Sequence, residues 1–263
     1  MSDEFNIEGY EESPITEQEQ QGGLGTMDVY ADIVYCLDVT QSMRPIIEKV
    51  KETALNLHNL LQEKMISRYQ RNIRQLRIKV IAFRDIYADG DYAFEISPFF
   101  WLPDEADKFA DFVNGLEAKG GGDIPENGLE ALAMAMQTDW CTTIDESIRK
   151  RHVVVMFTDA SAHPLEKSAN YSGKNYPENM PKTYADLIDM WYGQGSCVSG
   201  GAAITIDPIA ARLAIFAPEG SEPWVNIAED FNNAFFQPIE RGNGGRDIST
   251  DEIVKMIGET MAG

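Results

Sequence analysis

Apolar residues along this chain follow two patterns, short continuous runs and longer segments with helical spacing. The continuous runs predict buried strands at 29–37, 78–83, 152–157 and 212–216. Helical spacing predicts a long first helix at 45–69 and further helices at 104–116, 125–136, 184–191 and 226–231. Strands that are apolar on both faces and alternate with helices are typical of a parallel sheet covered on two sides. The pattern predicts an α/β fold: a three-layer, doubly wound, mostly parallel central sheet with helices on both faces.

The two ends of the chain differ in character. Residues 1–25 carry seven acidic side chains and no basic one, which predicts a flexible acidic N-terminal arm. Residues 26–263 are expected to form a single domain with a loop-rich insertion at about 161–208. Residues 234–237 are predicted to form an edge strand, and the last helix is expected to begin with a capping box at Ser249 and Glu252. The aromatic residues Trp191, Tyr192 and Trp224 are either exposed contact residues or buried anchors.

Charge and cysteine usage restrict the class of partner. The net charge of −21 repels phosphate backbones, so we expect neither nucleic acid nor a membrane as a partner. Four arginines in 68–77 suggest phosphate binding, but a solvated helix end is the better interpretation. No apolar run approaches the roughly 20 residues that span a bilayer. Three cysteines without paired spacing argue against a disulfide framework or a zinc site and favour a cytoplasmic location.

Oxygen-bearing side chains follow two of the predicted strands. Asp38, Thr40 and Ser42 come after the first strand, Asp159 comes after the third, and Asp123 precedes a predicted helix whose first turn contains Pro125. The carboxyl ends of parallel strands meet at one edge of a sheet, so we expect these five side chains to converge. Hard divalent cations prefer oxygen ligands. The sequence therefore predicts a Mg²⁺ site, with Mn²⁺ or Ca²⁺ as alternatives, although the same residues could instead cap helices.

Two further residues are expected on the rim of this site, where a partner would bind. Asp85 follows the second strand, and His163 lies shortly after Asp159. The acidic loop at 87–91 resembles part of a calcium loop but lacks its spacing, so a hairpin turn at Asp89 and Gly90 is the better interpretation. The three glycines at 120–122 would let the backbone bend tightly or approach the site closely.

The ordered motifs at 32–162 resemble the von Willebrand factor A-type (VWA) domain and its metal-ion-dependent adhesion site. Asp38-Val-Thr-Gln-Ser42 resembles the Asp-x-Ser-x-Ser motif of that site, with Thr40 replacing the first serine, and Asp159 resembles its final aspartate. The family has a distant threonine where Asp123 stands here, which is a departure. The segment Gly-Gly-Gly-Asp-Ile-Pro-Glu is similar to the intracellular VWA subgroup that accompanies alpha-type protein kinases.

The resemblance implies a Rossmann-like fold and a non-catalytic, metal-dependent protein–protein interaction module. In that family the hydroxyls of Thr40 and Ser42 would hold the ion, with Asp38 and Asp159 bound directly or through water. A partner protein would offer an acidic residue to the metal, and a kinase, phosphatase or ATPase of the same intracellular system is the expected kind of partner. Two alternatives stay open: a metal-dependent hydrolase of phosphate esters that uses Asp85 or His163 as general base, and a metal-free scaffold.

Overall fold

A mostly parallel β-sheet forms the centre of the protein. The computed structural model describes residues 27–121, 124–142, 148–171, 173, 176–194 and 206–263. The strands of this part of the chain are β1 (Met27–Asp38), β2 (Arg71–Phe83), β3 (Phe94–Ile96), β4 (Phe100–Leu102), β5 (Arg149–Phe157), β6 (Ala211–Pro218) and β7 (Ala234–Ile239). Their order in the sheet is β3-β2-β1-β5-β6-β7, and β4 also pairs with β2. Strands β2, β1, β5, β6 and β7 are parallel, whereas β3 and β4 run antiparallel to β2.

Helices cover both faces of this sheet. The α-helices of the described residues are α1 (Arg44–Thr53), α2 (Leu57–Tyr69), α3 (Ile86–Asp89), α4 (Ala106–Gly115), α5 (Gly128–Met136), α6 (Leu165–Ser168), α7 (Tyr184–Trp191), α8 (Trp224–Asp230) and α9 (Thr250–Ala262). Apolar residues of α1, α2, α4 and α9 pack on one face. Those of α5, α6, α7 and α8 pack on the other. The predicted three-layer α/β fold is confirmed.

Strand β1 shows why the sheet is buried on both sides. Ile33, Tyr35 and Leu37 belong to the core beneath α1 and α2. The intervening residues Val34 and Cys36 belong to the core beneath α5. Successive side chains of a strand point to opposite faces, so a continuous apolar run fits a strand that is covered twice.

Several sequence-based predictions of local structure are confirmed. Strand β7 lies at the edge of the sheet. Ser249 and Glu252 form the expected capping box at the start of α9. Trp191 and Trp224 are buried anchors, each with at most 1 % of its surface exposed, and Tyr192 is partly buried.

Other predictions of local structure are wrong in an informative way. The expected helix at 45–69 is two α-helices joined by a 3-10 turn at Ala54–Asn56. The basic segment is not a solvated helix end, because Gln70 takes a left-handed conformation (φ 54°) that ends α2 and β2 begins at Arg71. Pro125 does not occupy the first turn of a helix, since α5 begins three residues later.

The loop after β2 also differs from its prediction. Asp89 and Gly90 do not form a tight hairpin turn, because α3 and a 3-10 turn at Gly90–Tyr92 separate β2 from β3. The side chain of Asp85 accepts the backbone N–H of Tyr87 and caps α3. This local capping bond stabilises a helical turn where the Asp-Gly pair suggested a hairpin.

Three expectations concern chain segments rather than single elements. The predicted acidic arm lies outside the described residues. The region at 161–208 contains α6 and α7, and its residues 172, 174–175 and 195–205 are outside the described part. Among the helices that the structure describes, none combines the length and the hydropathy that a membrane span requires.

A buried ion pair on β1 generates a stability prediction. Asp32, 1 % exposed, accepts hydrogen bonds from Arg77 Nε at 2.8 Å and Nη2 at 2.6 Å, and from the backbone N–H of Cys141 at 2.6 Å. We expect Asp32→Asn to lower the free energy of unfolding by about 3–5 kcal/mol, because it leaves the Arg77 charge unpaired. Denaturant unfolding followed by circular dichroism measures the loss.

Asp28 on the same strand supplies a matched control. It pairs with Arg74 at 2.9 Å, but the side chain of Arg74 is 60 % exposed. Solvent screens such a pair, so Asp28→Asn is expected to change the unfolding free energy little. Equal losses for the two variants would contradict the structural importance of the Asp32 pair.

Candidate metal centre

Strand pairing brings two of the predicted ligands to one edge of the sheet. Asp38 is the last residue of β1, and Asp159 lies two residues beyond the end of β5. The two strands are parallel neighbours, and Leu37 pairs with Phe157 in the register. The carboxyl ends of β1 and β5 therefore lie side by side, as the sequence predicted.

Four of the five predicted side chains lie in a row of neighbouring oxygen atoms. Thr40 donates to Asp38 Oδ1 from its hydroxyl at 2.6 Å and from its backbone N–H at 2.9 Å. The Thr40 and Ser42 hydroxyl oxygens are 3.5 Å apart. Ser42 in turn donates to Asp159 Oδ1 at 2.9 Å. Asp38, Thr40 and Asp159 are buried, whereas Ser42 is exposed, so the chain of oxygens leads from the interior to solvent.

Neighbouring elements fix both carboxylates. The other oxygen of Asp38 accepts the hydroxyl of Thr158 at 2.8 Å. The other oxygen of Asp159 accepts the backbone N–H of Gly244 at 2.9 Å. Trp224 Nε1 donates to the carbonyl of Ala160 at 2.9 Å and anchors the loop that carries Asp159.

The contribution of Gly244 was not predicted. Its φ is +58°, and a Cβ atom there would lie 2.0 Å from the backbone oxygen of Ser42. A residue other than glycine would be strained and would clash with the Ser42 loop. The cluster Gly242-Asn-Gly-Gly245 was a signal for such a close approach, but it lies far from the motifs in sequence.

The glycine-rich segment before α5 approaches the site as expected. Gly120 and Gly121 have φ values of +73° and +75°. A Cβ atom built on Gly121 would lie 2.9 Å from Thr40 Cγ2. The backbone N–H of Gly121 donates to Asp89 Oδ2 at 3.0 Å. Asp123, the fifth predicted ligand, lies outside the described residues, so its place in the site stays a prediction.

Glu126 is an acidic residue of this edge that the sequence analysis missed. It is 5 % exposed, and its Oε2 atom is buried with no hydrogen-bond partner among the described residues. A Cβ atom built on Gly121 would lie 3.2 Å from Glu126 Oε1 and 2.9 Å from Thr40 Cγ2. The Glu126 carboxylate therefore lies near the side chain of Thr40. Glu126 directly follows Pro125, near the predicted start of a helix. Glutamate at such a position is normally interpreted as a capping residue, so the sequence did not indicate a site residue here.

Asp85 and His163, the predicted rim residues, lie in the interior. They are 2 % and 4 % exposed, and His163 Nε2 is 3.1 Å from Asp85 Oδ1. Lys167 Nζ is 3.1 Å from His163 Nδ1, and the ring of Tyr87 packs edge-on against the imidazole. The backbone N–H of His163 donates to the carbonyl of Glu126 at 2.8 Å. The pair therefore contacts the segment that carries Glu126, and neither side chain faces solvent.

Burial and mutual repulsion disturb the ionisation of these acids. Burial raises the pKa of Asp38 to about 6, with a smaller contribution from the charge of Asp159, although hydrogen bonds from Thr40 and Thr158 oppose the shift. Burial also raises the pKa of Glu126 to about 9, and the charges of Asp38, Asp85, Asp89 and Asp159 raise it further. A bound cation would relieve both effects, because it favours the charged forms of neighbouring carboxylates.

The donor set consists of oxygen atoms alone. Among the described residues, no three His, Cys, Asp or Glu side chains meet closely enough to hold a metal by themselves. The arrangement instead offers two carboxylates and two hydroxyls, with the unpartnered Glu126 carboxylate beside them. Oxygen donors and a polar, solvent-accessible edge fit a hard cation that keeps several waters.

Comparisons with known proteins do not identify a family. No family model matches the chain. No curated protein matches its sequence. Similar solved structures include the pilus adhesin SpaC from Lactobacillus rhamnosus GG (12 % identity, TM-score 0.48, 89 % of this chain and 31 % of that one). They also include a von Willebrand factor type A protein from Catenulispora acidiphila (11 % identity, TM-score 0.44, 87 % of this chain and 42 % of that one).

A third similar structure is proximal thread matrix protein 1 from the mussel byssus, with 9 % identity, a TM-score of 0.47 and coverage of 89 % of this chain and 49 % of that one. The chain thus spans between about a third and a half of the length of the structures it resembles. The α/β fold assignment rests on the sheet topology described above.

The raised pKa of Glu126 generates a pH prediction for the metal-free protein. Between its ordinary pKa of 4.5 and about 9, the folded state holds a proton that the unfolded state releases. The contribution of Glu126 to the free energy of unfolding is therefore fully present below pH 4.5 and is lost as the pH rises through 9. We expect the melting temperature in EDTA to fall over this range, and Glu126→Gln to flatten the decline. A profile with the same slope in both proteins would show that Glu126 does not carry the effect.

Proposed function

We propose that this protein is a metal-dependent protein–protein interaction module of the VWA type. The observation that supports the proposal most is the row of oxygen atoms that runs from Asp38 through Thr40 and Ser42 to Asp159 and brings together the two halves of the motif across 117 residues of sequence. Mg²⁺ is the proposed ion, and Mn²⁺ or Ca²⁺ are compatible with the same oxygen donors.

The proposed ion would be held by the hydroxyls of Thr40 and Ser42, with Asp38 and Asp159 bound directly or through water. Asp123 remains a candidate ligand. The unpartnered oxygen of Glu126 supports the presence of a cation, because a buried carboxylate oxygen without a donor is costly. The ion supplies an exchangeable coordination position that a carboxylate of a partner protein can occupy.

Charge makes the proposed interaction strictly dependent on the metal. Without a cation, an acidic partner would approach an edge that carries Asp38, Asp159 and Asp89 in a chain of net charge −21. Like charges at short distance repel, and the repulsion is strongest where water is excluded. The ion would convert this repulsive edge into an attractive one, so a chelator should abolish binding rather than weaken it.

Asp85 and His163 are proposed to position the site rather than to contact the partner. His163 contacts Asp85 through one ring nitrogen and Lys167 through the other. Hydrolysis with His163 as general base would need a ring nitrogen within reach of the substrate water. The hydrogen bonds of both nitrogens therefore favour a binding module over the hydrolase of phosphate esters, and we propose a non-catalytic role.

The proposed setting is a multi-protein system of the cytoplasm. The similarity of 120–126 to the VWA subgroup that accompanies alpha-type kinases supports a kinase, phosphatase or ATPase as the acidic partner. No nucleic acid or membrane partner is proposed, in keeping with the negative charge. The metal-free scaffold is the alternative that the following experiments distinguish.

Magnesium binding is predicted to stabilise the folded protein. At a Mg²⁺ concentration 100 times the Kd, the free energy of unfolding should rise by about 2.7 kcal/mol. Asp38→Asn is expected to remove this rise, because it removes the charge at the buried end of the oxygen chain. Thermal unfolding with Mg²⁺ and with EDTA measures the effect, and isothermal titration calorimetry gives the Kd.

Asp91→Asn is the matched control for this experiment. Asp91 is an exposed aspartate of the loop after α3, and its substitution removes the same charge from the chain. It should leave the Mg²⁺ response intact. No stabilisation of the wild type by any of the three ions would favour the metal-free scaffold.

Partner capture is predicted to depend on the same residues. The wild type, fixed on a resin, should retain a partner from cell extract with Mg²⁺ and release it with EDTA. The Asp38→Asn variant should retain none, although its circular dichroism spectrum stays that of a folded α/β protein. Capture that survives both EDTA and Asp38→Asn would show that the contact does not involve the ion.

A further inference from the structure

Four arginines lie together at the opposite edge of the sheet from the metal centre. Arg71 begins β2, Arg149 begins β5, Arg151 follows two residues later, and Arg212 is the second residue of β6. These strands are parallel, so their amino ends share one edge. The four residues are called the arginine cluster below.

No ion pair between the arginine cluster and an Asp or Glu side chain occurs among the described residues. Arg151 donates to the backbone carbonyls of Met261 at 2.9 Å and Gly263 at 3.1 Å, and Arg71 donates to that of Ala262. Arg212 donates to the backbone carbonyls of its own strand region. The carbonyls at the end of α9 are thereby capped, which accounts for part of the cluster.

After these contacts with backbone carbonyls, some N–H donors and positive charge of the arginine cluster remain without a partner among the described residues. Arg212 is 7 % exposed, and its Nε atom is buried without an acceptor among the described residues. The side chain of Arg149 is exposed and makes none of the hydrogen bonds or ion pairs that the described residues show. Burial and repulsion from the other three arginines lower the pKa of Arg151 to about 10. The mutual repulsion shows that positive charge is concentrated here in a chain of net charge −21.

A cavity of about 330 Å³ opens between these side chains. Arg149, Arg151 and Arg212 line it, together with Lys150, Asp207 and Gly263, the residue that follows α9. Lys150 and Asp207 neutralise each other through an ion pair of 2.8 Å. The cavity therefore presents guanidinium groups, whose planar donor geometry matches that of a carboxylate.

Residues 1–26 enter the described structure beside this cavity. Met27, the first residue of β1, pairs with Arg71, and Val29 pairs with Arg149. Neighbouring strands are about 4.8 Å apart, so the segment is attached within about 10 Å of the cluster. It contains seven acidic residues and no basic one.

We propose that the arginine cluster is an oxyanion-binding site whose ligand is a carboxylate carried by residues 1–26 of the same chain. Attachment next to the site gives these carboxylates an effective concentration of the order of millimolar. The segment is acidic and the cluster is basic, so the two attract each other. An ionic strength above about 0.15 M would screen this attraction where the charges are exposed to solvent. The proposal is independent of the metal centre at the other edge.

Pyrophosphate is a suitable probe, because it competes for the same guanidinium groups. Its affinity is measured by isothermal titration calorimetry in EDTA with the full chain and with a full-chain variant whose arm is neutralised. The neutralised variant carries Asp3→Asn, Glu4→Gln, Glu8→Gln, Glu11→Gln, Glu12→Gln, Glu17→Gln and Glu19→Gln. We expect it to bind pyrophosphate at least tenfold more tightly than the wild type, since the competing carboxylates are gone.

Arg149→Gln in the neutralised chain tests the site itself. Arg149 is exposed, so its substitution leaves the core intact, and pyrophosphate affinity should fall about tenfold. Arg68→Gln, at an exposed arginine of α2 outside the cluster, should change nothing. Equal affinity for the wild type and the neutralised chain would overturn the proposed ligand. Absence of binding in both, or binding that Arg149→Gln leaves unchanged, would overturn the site.

Discussion

The parallel pairing of β1 with β5 is the constraint on which the rest of the structure depends. Residues 33–37 of β1 and 153–157 of β5 are apolar, and their side chains alternate between the two cores. A slip of the register by one residue would turn every side chain of β1 to the opposite core. The same register sets Leu37 opposite Phe157, and it thereby places Asp38 and Asp159 side by side.

Burial of carboxylates at this edge has an electrostatic cost that the fold only partly offsets. Thr40, Thr158 and the backbone of Gly244 each donate to Asp38 or Asp159. Glu126 receives no such donor from the described residues, and its pKa is raised to about 9. Natural proteins keep such strained groups mainly at functional sites. Glu126 therefore differs from Asp38 and Asp159, whose oxygens all accept hydrogen bonds.

The two edges of the sheet carry opposite charges. Aspartates and Glu126 collect where the parallel strands end, and arginines collect where they begin. The five parallel strands begin at one edge and end at the other, so residues at strand starts and residues that follow strand ends lie at opposite edges. The proposed metal centre and the arginine cluster therefore lie at opposite edges of the sheet.

The sequence predicted the fold and the proximity of four candidate ligands because both depend on strands. The continuous apolar runs ending at Asp38 and shortly before Asp159 indicated parallel strands, and parallel strands dictate where those residues meet. The position of Glu126 depends on the path of the glycine-rich loop, which propensities do not encode. Gly244 reaches Asp159 from 85 residues away in sequence. Asp85 and His163 looked like rim residues because they follow strand ends, but both are buried and contact each other.

The extent of β2 was misjudged for a similar reason. Arginines at 71, 74 and 77 look like a solvated helix end, yet Arg77 pairs with the buried Asp32 and Arg71 contacts the end of α9. Both partners come from distant parts of the chain, so local periodicity could not reveal them.

The most direct test of the metal centre is a crystal structure of the protein grown with Mn²⁺, with anomalous scattering used to locate the ion. The account predicts one strong peak at the carboxyl edge, in contact with the hydroxyl oxygens of Thr40 and Ser42. A map without a peak at this edge, at a millimolar concentration of Mn²⁺, would contradict it.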